Sequence, residues 1–190
     1  MNNEISPTEF SEFKVKLESE RNDLKRYLDE IDDRIGNWLK ELEKGFDLAE
    51  KDIALAKSRY PDLRLEMASV YDADIAQRFG APFDAVVSME VIEHLFEPRK
   101  LFEQCFRLLK EGGLLIMSTP YHGYAKNLAI AVLDQWDAHH GVEADGGHIK
   151  YFSKRTLARM AGEVGFKNLR FSGVGRFPYF WKSMILIAQK

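Results

Sequence analysis

The chain has 190 residues, a formal net charge of −3 and a pI near 6.0, so it lacks the basic surplus that nucleic-acid binding usually requires. No uncharged apolar run reaches the roughly 18 residues of a membrane span. The single cysteine, Cys105, excludes an internal disulfide and agrees with a reducing compartment. We therefore expect a cytoplasmic protein with no nucleic-acid partner and no membrane span.

The segment before Gly45 has the pattern of one long amphipathic helix. Ser6 and Pro7 suit the cap and the first helical position, and Gly45 suits the end. Apolar residues recur between them at spacings of three and four, as in a coiled-coil heptad seam: Leu17, Leu24, Leu28, Ile31, Ile35, Trp38 and Leu42. The seam must be buried, either on the rest of the chain or on a second copy, and we expect a homodimer. The predicted division is a helix over 1–45 and a second domain over 46–190.

Beyond Gly45, helical and strand patterns alternate, which indicates an α/β domain with a mainly parallel sheet. The predicted helices cover 52–60, 73–79, 98–109 and 154–164. The predicted strands cover 63–68, 84–88, 114–118, 169–172 and 183–188, and the segment at Gly45–Asp47 is too short to predict a robust strand. Ligands of such sheets bind outside the carboxyl ends of the strands, so the residues after each strand are the candidate site.

Several of these segments carry a family resemblance. The run from Phe83 to Leu95, FDAVVSMEVIEHL, resembles the fourth-strand signature of class I S-adenosylmethionine (SAM)-dependent methyltransferases. The run from Leu108 to Ile116, LLKEGGLLI, resembles their entry into the fifth strand, and GHIKYFS at 147–153 is similar to ubiquinone-biosynthesis O-methyltransferases. The resemblance implies a truncated Rossmann-like methyltransferase sheet of about five strands, preceded here by a long N-terminal helix.

The resemblance also implies which residues bind the cofactor SAM. Asp47 would accept hydrogen bonds from the ribose hydroxyls, although it could equally cap the following helix. Val70 and Tyr71 would flank the adenine, and Asp72 would accept from its amine or serve as a turn residue. The residues after the next strand would line the cofactor pocket: Met89, Glu90 and Val91.

One part of the family pattern is missing. The family begins with a strand that ends in an acidic, glycine-rich loop, whose glycines let the backbone approach the methionine part of SAM. The only glycine in the first 44 residues is Gly36, inside the heptad pattern. The sequence therefore predicts that SAM binds weakly or not at all.

Histidines are the candidate catalytic residues. Methyl transfer to a hydroxyl needs alignment and a base, and imidazole is a suitable base near neutral pH. The candidates are His94, beside the expected cofactor edge, and His148, in the segment expected to contact the substrate. Five residues could conceivably ligate a metal, but their spacing matches no zinc motif, so no metal is predicted: Asp137, His139, His140, Asp145 and His148.

Three functions remain open at this point. The chain could be a methyltransferase that acts on a small molecule, most plausibly at oxygen. It could instead be an inert methyltransferase-like scaffold or partner subunit that dimerises through its N-terminal helix. The third hypothesis is a coiled-coil interaction protein whose α/β part only anchors the helix.

Overall fold

A computed structural model describes residues 44–141, 143, 147–176 and 178–190. The predicted long helix over 1–45 lies outside these residues, apart from its last two positions, and it stays a prediction. The chain divides into two compact units, Met1–Met67 and Ala68–Lys190. Among the described residues, no helix has the length and apolar character needed to cross a membrane.

The described part of the first unit is a small βαβ arrangement. Strand β1 (Lys44–Asp47) pairs in parallel with β2 (Arg64–Met67), and helix α1 (Glu50–Arg59) connects them. Ile53 of the helix and Leu65 of β2 are buried. The four residues of β1 form a strand because all of them pair with β2, which the short sequence segment alone did not predict.

The second unit contains a four-stranded sheet in the order β3 (Phe83–Met89), β4 (Leu109–Pro120), β6 (Ser183–Gln189), β5 (Lys167–Val174). Strands β3 and β4 are parallel, whereas β6 runs antiparallel to both of its neighbours. Every second residue of β6 is fully buried, namely Met184, Leu186 and Ala188. The α/β class predicted from the sequence is confirmed, with six strands in the described residues and a larger antiparallel share than expected.

The described residues of this unit also form five α-helices and a short 3-10 helix: α2 (Ile75–Phe79), the 3-10 helix (Ile92–His94), α3 (Pro98–Leu108), α4 (Tyr124–Val132), α5 (Trp136–His140) and α6 (Lys154–Val164). Helix α3 contacts β3 and β4, helix α6 contacts β5, and the two helices contact each other. Phe102 of α3 is fully buried and packs edge-on against Phe166 after α6. This contact joins α3 to the segment between α6 and β5.

Local signals explain where these helices begin and end. Pro98 stands in the first turn of α3, where a missing N–H leaves no bond unmade. Ser153 and Thr156 form a reciprocal capping box at the start of α6. Gly80 adopts a left-handed conformation after α2, with φ of 68°, which glycine accepts without a side-chain clash.

Candidate functional site

The carboxyl ends of β3 and β4 lie side by side, because the strands are parallel and Met89 is in register with Ser118. The N–H of Glu90 donates to the backbone oxygen and to Oγ of Ser118, at 3.2 and 3.1 Å. The Ser118 hydroxyl donates in turn to Oε1 of Glu90 at 2.7 Å. Glu90 has a φ of 51°, an uncommon value for a residue with a side chain, and these bonds hold it there.

Glu93 is the charged residue at the centre of this edge. Its side chain is fully buried, Thr119 Oγ1 donates to its Oε2 at 3.0 Å, and Oε1 has no hydrogen-bond partner among the described residues. Burial raises the pKa of this carboxyl, because desolvation disfavours the charged form. The backbone oxygen of Glu93 accepts from the N–H groups of Ile149 and Lys150, at 3.0 and 3.1 Å. These two bonds bring the preceding residue, His148, to the same edge.

The structure therefore places both predicted histidines beside Glu93. Nε2 of His148 lies 4.0 Å from Oε1 of Glu93, and the rings of His94 and His148 meet edge-on with centroids 4.9 Å apart. Desolvation and the neighbouring His94 lower the pKa of His148. One ligand atom from each of the three residues lies within 4.8 Å of the others. Carboxylate and imidazole groups at this spacing could hold a divalent cation, which the sequence did not predict.

A second group of histidines stands nearby in the same unit: His122, His139 and His140, with one ligand atom of each within 4.8 Å of the others. Burial, followed by the charge of Lys126, lowers the pKa of all three, that of His122 to about 4. Neutral imidazoles are metal ligands, but a cation here would meet the charge of Lys126, so we assign no metal to this group.

A cavity of about 220 Å³ contacts both groups. Charged and imidazole side chains from separate segments line it, among them Glu90, His122, Lys126, His148, Arg176 and Lys182. The basic residues were missed as site residues from the sequence, which offers no motif for them. The sequence offers one signal, a lysine within the largely apolar run of α4. In the structure this residue, Lys126, is only 5% exposed.

Among the predicted cofactor residues, Asp47 and Met89 are the last residues of β1 and β3, and Val70, Tyr71 and Asp72 lie in the loop after β2. Asp47 ends β1 in the first unit, and its Oδ1 accepts from the N–H of Ala49 at 2.8 Å. In the second unit, Oδ2 of Asp72 accepts from Ser69 N at 3.0 Å and from Arg78 at 3.4 Å. Each of these carboxylates therefore holds its own loop with one oxygen. The second oxygen of each accepts no hydrogen bond from a described residue.

The apolar members of the predicted set differ in exposure. Val70 is buried and Val91 is half-buried. Tyr71, in the turn after β2, is 41% exposed, and Met89, the last residue of β3, is 53% exposed. The Tyr71 hydroxyl accepts from Glu97 N at 3.2 Å, which fixes the ring.

Comparison with known proteins decides the family. A profile of the methyltransferase-domain family matches residues 11–170, which is most of the chain. The chain belongs to the methyltransferase-domain family. The ubiquinone biosynthesis O-methyltransferases of Chromobacterium violaceum and Thiobacillus denitrificans are 27% and 29% identical to it over 136 and 137 residues. Each alignment covers 70% of this chain but 59% of the relative, so the chain spans less than two thirds of these methyltransferases.

Solved structures of methyltransferases share the fold. A SAM-dependent methyltransferase from Thermotoga maritima matches with a TM-score of 0.59 and 13% identity, covering 79% of this chain and 74% of its own. One from Archaeoglobus fulgidus matches with a TM-score of 0.54 and 12% identity, covering 77% and 75%. The Rossmann-like methyltransferase fold implied by the sequence motifs is thus confirmed.

Proposed function

We propose that this protein is a SAM-dependent methyltransferase that methylates a hydroxyl group of a small molecule. The observation that carries the proposal is the placement of Glu93 and His148 at the ends of β3 and β4, where His148 and Glu90 line a cavity. Ligands of parallel sheets bind at this edge. The family and the fold support the cofactor, and the curated relatives named as O-methyltransferases support oxygen as the methylated atom.

The described residues fit the adenosyl part of SAM. In the second unit, Asp72 keeps one carboxylate oxygen for a ligand, and Tyr71 and Met89 expose apolar surface suited to a purine. In the first unit, Asp47 also keeps one carboxylate oxygen, as its predicted ribose role requires. No glycine-rich loop for the methionine part stands in the described residues. We therefore propose SAM as the cofactor with an affinity below that of a complete site.

SAM, when bound, would supply a methyl group activated by its sulfonium, and S-adenosylhomocysteine would be the leaving group when that methyl group is transferred to an acceptor oxygen. We assign the hydroxyl proton to His148, because its imidazole lines the cavity whereas His94 contacts the ring of His148. Glu93, held by Thr119, lies on the Nε2 side of His148 and stabilises the imidazolium that forms. Positioned proton transfer of this kind contributes roughly 10²–10⁴-fold to a rate.

The unpartnered Oε1 of Glu93 favours a second arrangement of the same site. A divalent cation bound by Glu93, His94 and His148 would satisfy this oxygen and polarise the acceptor hydroxyl in place of a base. Methyl transfer that persists after thorough chelation supports His148 as the base. Transfer that chelation abolishes and manganese restores supports the cation.

The test is a titration of SAM by calorimetry together with release of S-adenosylhomocysteine in the presence of hydroxylated acceptors. His148→Gln should keep SAM affinity and lose at least about a hundredfold in turnover. Absence of SAM binding contradicts the proposal. It would favour the inert scaffold, which needs no cofactor.

The heptad seam, outside the described residues, supports a further part of the proposal, that two copies associate as a homodimer. Light scattering across a range of concentrations measures this directly. Replacing Ile31 and Ile35 with Asp places charges in the seam and should yield a monomer. A wild-type chain that is monomeric at every concentration contradicts the dimer, and so does a double variant of unchanged mass. A dimer that binds no SAM is the expected signature of the scaffold.

A further inference from the structure

Three basic side chains converge on the cavity beside Glu90 and His148. They are Lys126 from α4, Arg176 from the bend after β5, and Lys182 just before β6. Within the described part of the chain, none of them forms an ion pair with a carboxylate. These side chains are therefore available to a ligand.

Lys126 is the least expected member of this group. Its side chain is 5% exposed, and its Nζ donates to the backbone oxygen of Tyr121 at 2.9 Å. An ammonium has three donors, so this bond leaves two for other acceptors. Burying a cation without a counter-charge is unfavourable, and neighbouring Arg176 adds like charge. An anionic ligand in the cavity would offset both the loss of water around the Lys126 ammonium and its repulsion by Arg176.

An unpartnered polar atom points in the same direction. Nε2 of His140 is buried and has no hydrogen-bond partner among the described residues. His140 lines the same cavity, and in the tautomer that carries the proton on Nε2 it would donate a hydrogen bond to a ligand oxygen there. Buried polar atoms of native proteins are almost always satisfied, which makes an unsatisfied one at a cavity an indication of a missing ligand.

The charge of the lining is unbalanced. Glu90 is its one carboxylate among the residues described, and the Ser118 hydroxyl already donates to that group. Three cations, Lys126, Arg176 and Lys182, face this single carboxylate. A cavity with this surplus attracts anions.

We propose that the cavity binds a methyl acceptor that carries an oxyanion, a carboxylate or a phosphate, held by Lys126, Arg176 and Lys182. The acceptor hydroxyl then lies towards Glu90 and His148. The position of the hydroxyl rests on the proposed function, whereas the anion site stands independently of it. A volume of about 220 Å³ is roughly that of seven water molecules, which suits a single small ring or an anionic head group.

The experiment measures direct binding of three small probes to the full chain by ligand-observed NMR. Benzoate and phenylphosphonate carry the two kinds of oxyanion, and benzamide is the neutral counterpart of benzoate. We expect at least one anion to bind about tenfold tighter than benzamide, a ratio that corresponds to about 1.4 kcal/mol. The preferred anion indicates whether the acceptor carries a carboxylate or a phosphate. Equal binding of all three probes, or no anion binding, overturns the proposal.

Variants locate the site. Arg176→Gln and Lys182→Gln should each weaken anion binding severalfold and leave benzamide unchanged. Arg155→Gln, an exposed residue on α6 outside the cavity lining, removes the same charge and should change neither affinity. Lys126→Met removes the charge of the buried lysine and should also weaken anion binding. The unfolding curve of this variant shows whether a loss of anion affinity results from a loss of folded protein. Anion affinity that survives both Arg176→Gln and Lys182→Gln overturns the proposal. Anion binding by a protein that transfers no methyl group overturns the proposed function alone.

Discussion

Thr119 donates a hydrogen bond of 3.0 Å to Glu93, and it is the one side chain in the described residues that hydrogen-bonds to this buried carboxylate. Thr119 is the penultimate residue of β4 and Glu93 lies in the 3-10 helix after β3, so the bond joins the end of β4 to the segment that follows β3. The bond holds the Glu93 carboxylate in place beside His148. The rigidity of the candidate site therefore depends on a polar contact within the core.

Thr119→Val keeps the shape of the side chain and removes this donor. We expect the free energy of unfolding to fall by about 1–3 kcal/mol, because a buried acceptor loses its partner. Urea denaturation measures the change. Ser88→Ala is the control: Ser88 is also buried, but its hydroxyl has no partner among the described residues, so its removal should change stability little. Equal effects of the two substitutions would show that the Thr119 bond contributes nothing specific.

Asp47 allows the ribose role to be separated from its local role in the loop before α1. Its Oδ1 accepts from Ala49 N, and its second oxygen remains for SAM. Ala49 is itself the N-cap of α1, so this bond holds the loop and is not the helix cap that the sequence allowed. Asp47→Asn keeps the first acceptor and replaces the second with a donor, whereas Asp47→Ala removes both. Both variants should weaken SAM binding by about 1.5–3 kcal/mol in calorimetry. Only Asp47→Ala should also lower the melting temperature, because it removes the acceptor of the loop bond. Undiminished SAM affinity in Asp47→Asn would show that this residue only holds its loop.

His122 predicts a pH dependence of stability. Burial and the charge of Lys126 lower its pKa from 6.5 to about 4 in the folded protein. Between these values the unfolded chain binds a proton that the folded chain does not, so stability falls as the pH decreases from about 6.5 to about 4. One pKa unit corresponds to 1.36 kcal/mol, which bounds the effect at about 3 kcal/mol.

His122→Phe keeps an aromatic ring in contact with Tyr151 and removes the titrating group. The unfolding free energy of this variant, measured by urea denaturation from pH 7 to pH 4, should fall less steeply than that of the wild type. His139→Phe is the control, since His139 is exposed and folding therefore removes less water from its ring. If the unfolding free energies of the wild type and His122→Phe fell equally with pH, His122 would not be the source of the pH dependence.

Much of the fold followed from local signals in the sequence. Gly80 and Pro98 marked helix ends, and the strand predicted over 183–188 lies within the observed β6. Helices α4 and α5 were missed, because both are short and only Lys126 and Ile130 of α4 are buried, which leaves no clear apolar period. Strand β1 was missed because its stability comes from pairing with β2 rather than from its own residues.

The site was harder to predict, because its contacts join residues distant in sequence. Glu93 was not among the candidate site residues, whereas the structure buries it completely beside His148. The histidines near position 140 were considered as one metal group with His148. The structure separates them: His139 and His140 lie with His122, and His148 lies with Glu93. No spacing rule could assign these partners.

The last prediction concerns the group formed by Glu93, His94 and His148. If these residues hold a divalent cation, binding stabilises the folded state by mass action, by about 2.7 kcal/mol at a hundred times the dissociation constant. Manganese accepts both oxygen and nitrogen ligands, so it is a suitable probe. Thermal unfolding with and without manganese detects the effect without any methyl acceptor. With a cation bound at this group, manganese should raise the melting temperature of the wild type and leave that of His148→Ala unchanged. His139→Ala, which alters the other histidine group, should keep the wild-type shift.

A shift lost in His139→Ala and kept in His148→Ala would place the cation at His122, His139 and His140. A wild-type melting temperature that manganese leaves unchanged would show that Glu93 keeps its free oxygen without a metal, and His148 would then remain as the base.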